Sequence, residues 1–247
     1  LFLIASAKQY AQHSTKMNIE VNAVAATLNI QQEITYFNQS NDTLTTIVLN
    51  DWNNAFSNKN SPLSQRFSDE FYNGFQFAKE EERGGTYDIN IVNSNKTNLT
   101  WNRPTLTPDV ITINLIEPLP PNKKTILNLN YNVKIPSDKF TNFGYDAAGD
   151  LYLKDWYLTP ARYESHNFVQ YNNVNVDDNA KAVSNFDITI KLPNNFKIAT
   201  DLDEKLISKD DGFSYYHLTG DNWNNFSLFL GENFNFQTFK TNSVDVI

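Results

Sequence analysis

Leu127-Asn128-Leu129-Asn130-Tyr131-Asn132-Val133-Lys134-Ile135 alternates an apolar with a polar side chain along its whole length. Successive side chains of a strand point to opposite faces, so this run predicts a β-strand with one face in a core and one in water. The same period of two recurs in Phe186, Ile188, Ile190 and Leu192, set against Asp187, Thr189 and Lys191. It recurs again in Ile111, Ile113 and Leu115, and in Leu28, Ile30, Ile34 and Tyr36. Further strands are predicted at 17–22, 44–52, 86–93, 97–101, 151–158, 196–200, 213–218, 226–230 and 234–239. Turn formers separate them, among them Pro193-Asn194-Asn195, Asp210-Asp211-Gly212 and Gly220-Asp221-Asn222. Many short, half-solvated strands predict an all-β domain of antiparallel, sandwich-like sheets, not βαβ units. The helical signal is confined to a short insertion around 61–83. Ser61 before Pro62 reads as an N-cap and first-turn pair, with Leu63, Phe67 and Phe71 following at four-residue spacing. Turn formers cluster between Pro136 and Gly149, but strands resume beyond them. Residues 17–240 are read as a single β domain.

The 247 residues include 18 Phe, 12 Tyr and 4 Trp, an aromatic content that excludes a disordered acidic chain. Twenty Lys and Arg against 28 Asp and Glu give a net charge of −8, which argues against a general nucleic-acid surface. With no cysteine, thiol catalysis and cysteine-based zinc sites are excluded. No apolar run approaches the ~18 residues of a membrane-spanning helix. The start, Leu1-Phe2-Leu3-Ile4-Ala5-Ser6-Ala7, is apolar and ends in an A-x-A pattern. Residues 1–12 are therefore read as the remnant of a secretory signal peptide, cleaved after Ala7 or near Tyr10-Ala11-Gln12; the alternative is a short buried strand. Export to a periplasm, cell envelope or exterior follows from the first reading.

Catalytic patterns are sparse. His13, His166 and His217 are far apart, and none sits in H-x-x-x-H or H-E-x-x-H, the spacings that bring two imidazoles onto one helix face around zinc. Glu164-Ser165-His166 could aim two ligands to one side of a strand, but is read as a solvated turn after Pro160. Asp201-x-Asp203 starts like a calcium loop, yet Lys205 and Leu206 stand where an oxygen ligand and the turn glycine belong. Glu80-Glu81-Glu82-Arg83 reads as a solvated face. No catalytic residue and no metal ligand is assigned.

Several longer stretches carry a family resemblance. Ile34-Thr35-Tyr36-Phe37-Asn38-Gln39-Ser40-Asn41-Asp42-Thr43-Leu44, followed by Asn50-Asp51-Trp52-Asn53-Asn54-Ala55-Phe56, resembles the opening of bacterial aminopeptidase N-like zinc metallopeptidases of the gluzincin type. Pro118-Leu119-Pro120-Pro121-Asn122 is similar to that family's "P-L-x-P-G". Asp155-Trp156-Tyr157-Leu158-Thr159-Pro160-Ala161-Arg162-Tyr163 is similar to its "x-W-Y-P-x-P-A-x-Y". Phe186-Asp187-Ile188-Thr189-Ile190-Lys191-Leu192-Pro193 is similar to its "F-D-V-x-I-x-L-P". Leu158 departs from the usual proline, and Tyr163 to Asn167 departs from the pattern that follows.

The resemblance spans about Met17 to Phe234 and implies the saddle-shaped, amino-terminal β domain of such an enzyme. The family's chemistry lies in a later domain carrying "G-x-M-E-N", H-E-x-x-H and a further glutamate, none of which occurs in this sequence. The implied role is non-catalytic: packing on a catalytic domain absent from this chain and shaping the cleft for peptide amino ends. Zinc would belong to the parent enzyme, and this chain alone would be inactive. By the same resemblance Trp156, Tyr157, Pro160 and Arg162 are candidates to border the cleft. A second reading, an exported carbohydrate-binding or adhesin-like β module, rests on aromatics set among asparagines in Tyr171-Asn172-Asn173 and Asp221-Asn222-Trp223-Asn224-Asn225-Phe226.

Overall fold

The computed structural model describes residues 11–171, 174, 181–233, 239–240 and 245–246. Of the leader expected at 1–12, residues 1–10 lie outside these residues, as do Asn172, Asn173 and most of the strand expected at 234–239. In chain order the first strands are β1 (His13–Asn22), β2 (Thr27–Phe37) and β3 (Leu44–Asn50). Helix α1 (Pro62–Asp69) follows, then β4 (Gly85–Asn93), β5 (Trp101–Asn102), β6 (Val110–Leu119) and β7 (Lys124–Lys134). Short strands come next: β8 (Gly144–Tyr145), β9 (Leu151–Leu153), β10 (Thr159–Pro160), β11 (Tyr163–Glu164) and β12 (Asn167–Phe168). The last large group is β13 (Ser184–Pro193), β14 (Lys197–Thr200), β15 (Asp203–Lys209), β16 (Phe213–Trp223) and β17 (Leu228–Gly231). Phe239–Lys240 and Asp245–Val246 pair as a small hairpin.

The protein is all-β, as its alternation predicts. A seven-stranded sheet runs β15-β16-β13-β1-β2-β7-β4, and four-stranded sheets run β10-β3-β6-β5 and β14-β17-β9-β8. Leu127, Leu129, Tyr131 and Val133 of β7 are buried, as are Phe186, Ile188, Ile190 and Leu192 of β13. These side chains meet Ile47, Leu49, Ile111 and Ile113 of the second sheet and Leu151, Leu153, Leu228 and Leu230 of the third in one continuous core. One ladder corrects the antiparallel expectation: β1 and β13 pair in parallel, Met17 opposite Ile188 and Ile19 opposite Ile190. A parallel pair needs a long crossover, supplied here by everything between the two strands; a period of two carries no information about strand direction.

In β3, Ile47 to Asn50 are all buried because the second sheet is covered on both faces. Ile47 and Leu49 enter the main core, while Val48 packs with Val110, Ala161 and Phe168 on the other side.

The insertion is shorter in its helix than the 61–83 span predicted. Ser61 caps α1, its hydroxyl accepting from the Ser64 N–H at 3.2 Å, with Pro62 in the first turn. The chain then passes through Phe71 at a φ of 63° and continues as 3-10 turns at Asn73–Phe77 and Glu80–Glu82. Phe75, Ala78 and Phe140 form a small core of their own, with Phe56 and Phe67 against it. Among the described residues no helix is long and apolar enough to cross a membrane.

Candidate functional site: the Asp155–Tyr163 segment

Asp155 leaves β9 with a φ of 56°, a left-handed turn that sends Trp156 and Tyr157 inward. The Asp155 carboxylate is held by the Asn225 amide at 2.9 Å and by the buried ammonium of Lys181. Burial opposes the charge on Lys181 and pulls its pKa well below the ordinary lysine value, with the Lys154 charge adding to the shift. Asn225 in turn accepts from the Tyr157 hydroxyl at 3.0 Å. Trp156, 2% exposed, meets the edges of Tyr157 and Phe226, and Tyr157 stacks on Phe226 with centroids 5.0 Å apart. Burial raises the Tyr157 phenol well above its usual pKa, so it stays a protonated donor.

Beyond Tyr157 the backbone is bound to the large sheet by a buried polar trio. Gln32 donates to the Leu158 carbonyl at 2.8 Å, Tyr131 donates to the Gln32 amide oxygen at 2.6 Å, and the Leu158 N–H donates to the Tyr131 hydroxyl at 3.3 Å. A strand core of alternating apolar residues would leave that peptide unit without partners, and an unmet buried amide costs about 1–3 kcal/mol. Thr159 and Pro160 then pair with Asn50 and Leu49. Proline has no N–H to offer a central ladder, which suits the edge position of β10.

Arg162 is the first exposed side chain after this buried run, and it pairs with Glu164 at 2.9 Å. Ser165 and His166, both at positive φ, close the tight β11–β12 hairpin, the solvated turn predicted for Glu164-Ser165-His166. His166 Nδ1 lies 2.8 Å from Asp42, which also accepts from the Tyr163 hydroxyl at 2.8 Å. The Tyr163 and His166 hydrogen bonds hold the Asp42 carboxyl below its usual pKa.

Of the four cleft candidates, Trp156, Tyr157 and Pro160 are thus buried, and Arg162 alone presents its side chain to solvent. The supports from Gln32, Tyr131, Lys181 and Asn225 had no signal in the sequence, because each comes from a distant strand or loop. Of the aromatics in the carbohydrate-module reading, Phe226 is core, whereas Tyr171 and Trp223 are exposed.

The histidines do not converge. His13 is buried, stacks on Tyr36 and accepts the Phe37 N–H at 3.2 Å, while His217 lies 2.8 Å from Asp187. Among the described residues no three His, Cys, Asp or Glu side chains group as metal ligands. These residues do not fit a zinc site, and no chemical step through zinc is assigned to them.

Solved M1 zinc metallopeptidases share this fold. A mutant of the Deinococcus radiodurans protein bound to a Tyr-Ser-Ala substrate superposes with a TM-score of 0.51 at 12% identity, over 96% of this chain and 46% of that one. A mutant two-domain M1 zinc metallopeptidase bound to L-tryptophan gives a TM-score of 0.51 at 14% identity, over 97% of this chain and 47% of the other. This chain therefore spans less than half the length of the structures it matches. At such identities the likeness is one of fold. No family model matches the chain, and no curated protein matches it in sequence.

Proposed function

We propose that this chain is the amino-terminal, non-catalytic β domain of a zinc aminopeptidase, packed on a catalytic domain that lies outside this sequence and shaping the cleft for peptide amino ends. The observation that carries the reading is the pattern of coverage: 96% of this chain corresponds to 46% of a zinc metallopeptidase chain. The zinc, the general base and the exopeptidase chemistry belong to that other portion. The role of this chain is to supply a rigid wall.

The fixing of Asp155 to Pro160 by hydrogen bonds to two sheets is what such a wall requires, because binding geometry on a mobile loop is lost. Arg162 stands at the end of this rigid run, where its guanidinium can meet a carboxylate of the substrate or of the neighbouring domain. Export remains part of the proposal, resting on the apolar, A-x-A-ended start of the sequence.

Metal analysis tests the division of labour. After dialysis the protein comprising this domain and its catalytic portion retains one zinc per chain, and the 247-residue chain alone retains none. Stoichiometric zinc in the chain alone would overturn the proposal.

A further inference from the structure

We propose that the crevice between the helical insertion and the 140–156 hairpin binds a small aromatic ring carrying a carboxylate. The proposal is independent of the peptidase reading. The crevice has a volume of about 250 Å³. That exceeds the ~150 Å³ apolar cavity known to hold benzene, so a single ring with a short side chain fits.

Its walls come from four separate parts of the chain. Phe56 comes from the turn at Trp52–Phe56, Phe67 from α1 in the insertion, Phe140 and Phe143 from the loop before β8, and Tyr152 and Trp156 from β9 and the turn after it. Rings already meet edge-to-face here, Phe75 against Phe140 at 5.2 Å and Tyr152 against Phe229 at 5.8 Å. A guest ring would continue this geometry, which favours an aromatic over an aliphatic body. Phe56, Phe67, Phe143 and Tyr152 are only half-buried, so the walls are open to a ligand.

The charge at one end selects the substituent. Lys154 lines the crevice, is exposed, and holds its ammonium 5.1 Å above the Phe143 ring. It makes no ion pair among the described residues. The acidic wall residue, Asp155, is already taken by Lys181 and Asn225. An anionic group on the guest would therefore face an ammonium beside an apolar floor, where the attraction is less screened than in bulk water.

Calorimetric titration of the full-length protein with 3-phenylpropionate, and with 3-phenylpropan-1-ol as the uncharged match, tests this. Saturable binding of the acid is expected, at least fivefold tighter than that of the alcohol. Lys154→Met removes that preference and leaves the alcohol unchanged; because Lys154 is exposed, the fold should tolerate it. Thr141→Trp, which fills the crevice from its rim, abolishes both bindings while the melting temperature is kept. Absence of saturable binding, binding that survives Thr141→Trp, or an acid preference that survives Lys154→Met would each overturn the proposal.

Discussion

His13 links this fold to pH through its burial. Burial pulls its imidazole from 6.5 down to about 3, so the folded protein holds it neutral, Nδ1 accepting from Phe37. The unfolded chain binds that proton near pH 6.5, and the folded chain does not. The contribution of His13 to stability is therefore full above pH 6.5 and falls with decreasing pH until about 3, by at most ~1.4 kcal/mol per pH unit. Asp42 and Glu82, also held below their usual values, lose their contributions as pH falls through the carboxylate range, whereas burial raises Glu204 and lowers Lys181, so the histidine is isolated by the difference between the wild type and a His13 variant. Between pH 7 and 5, urea unfolding should show the wild type losing ~2 kcal/mol more than His13→Asn, whose amide oxygen can still accept from Phe37. Equal slopes in the two proteins would contradict the assignment. The sequence showed His13 as one of three isolated histidines; its burial depends on Tyr36 of the neighbouring strand, which no local pattern reveals.

At the scale of elements, legibility followed the number of wet faces. Strands with one face in water, such as β7 and β13, wrote their burial into a period of two. Ser61-Pro62 likewise marked the start of α1 through local capping chemistry. β15 left no such trace, since every residue from Asp203 to Lys209 is exposed at the edge of the sheet. The run from Trp156 to Ala161 hid for the opposite reason: it is buried throughout, so its exposure does not alternate. Asp51 illustrates a third case. Its buried carboxylate pairs with Arg103 and accepts from the Thr86 hydroxyl at 2.6 Å, across separations that no motif spans. Gly144 makes an element-level prediction. At its φ of 155°, an added Cβ would lie 2.5 Å from the Pro136 carbonyl oxygen, an overlap relieved only by moving backbone. Gly144→Ala should lower stability by about 2–4 kcal/mol in thermal or denaturant unfolding, and a loss under 0.5 kcal/mol would show that the hairpin is not held against Pro136.

For the whole molecule, the β-rich fold that the residue-level resemblance implies is the one this chain shares with solved M1 zinc metallopeptidases. His13, His166 and His217 each have a different partner: the Phe37 N–H, the Asp42 carboxylate and the Asp187 carboxylate. If Arg162 borders the cleft of the full enzyme, Arg162→Ala should raise KM severalfold for peptide substrates while leaving kcat within about twofold, since a wall binds substrate and transition state alike. The exposed Arg162–Glu164 pair contributes little to stability, so the fold should be retained. An unchanged KM across several peptides would remove Arg162 from the cleft.

The most direct measurement is hydrolysis of aminoacyl p-nitroanilides by this chain alone and by a longer polypeptide that joins it to the proposed catalytic portion, each with and without a zinc chelator. The account predicts chelator-sensitive release by the longer polypeptide and none by the 247-residue chain. Chelator-sensitive hydrolysis by the isolated chain, or none by the longer polypeptide, would contradict it.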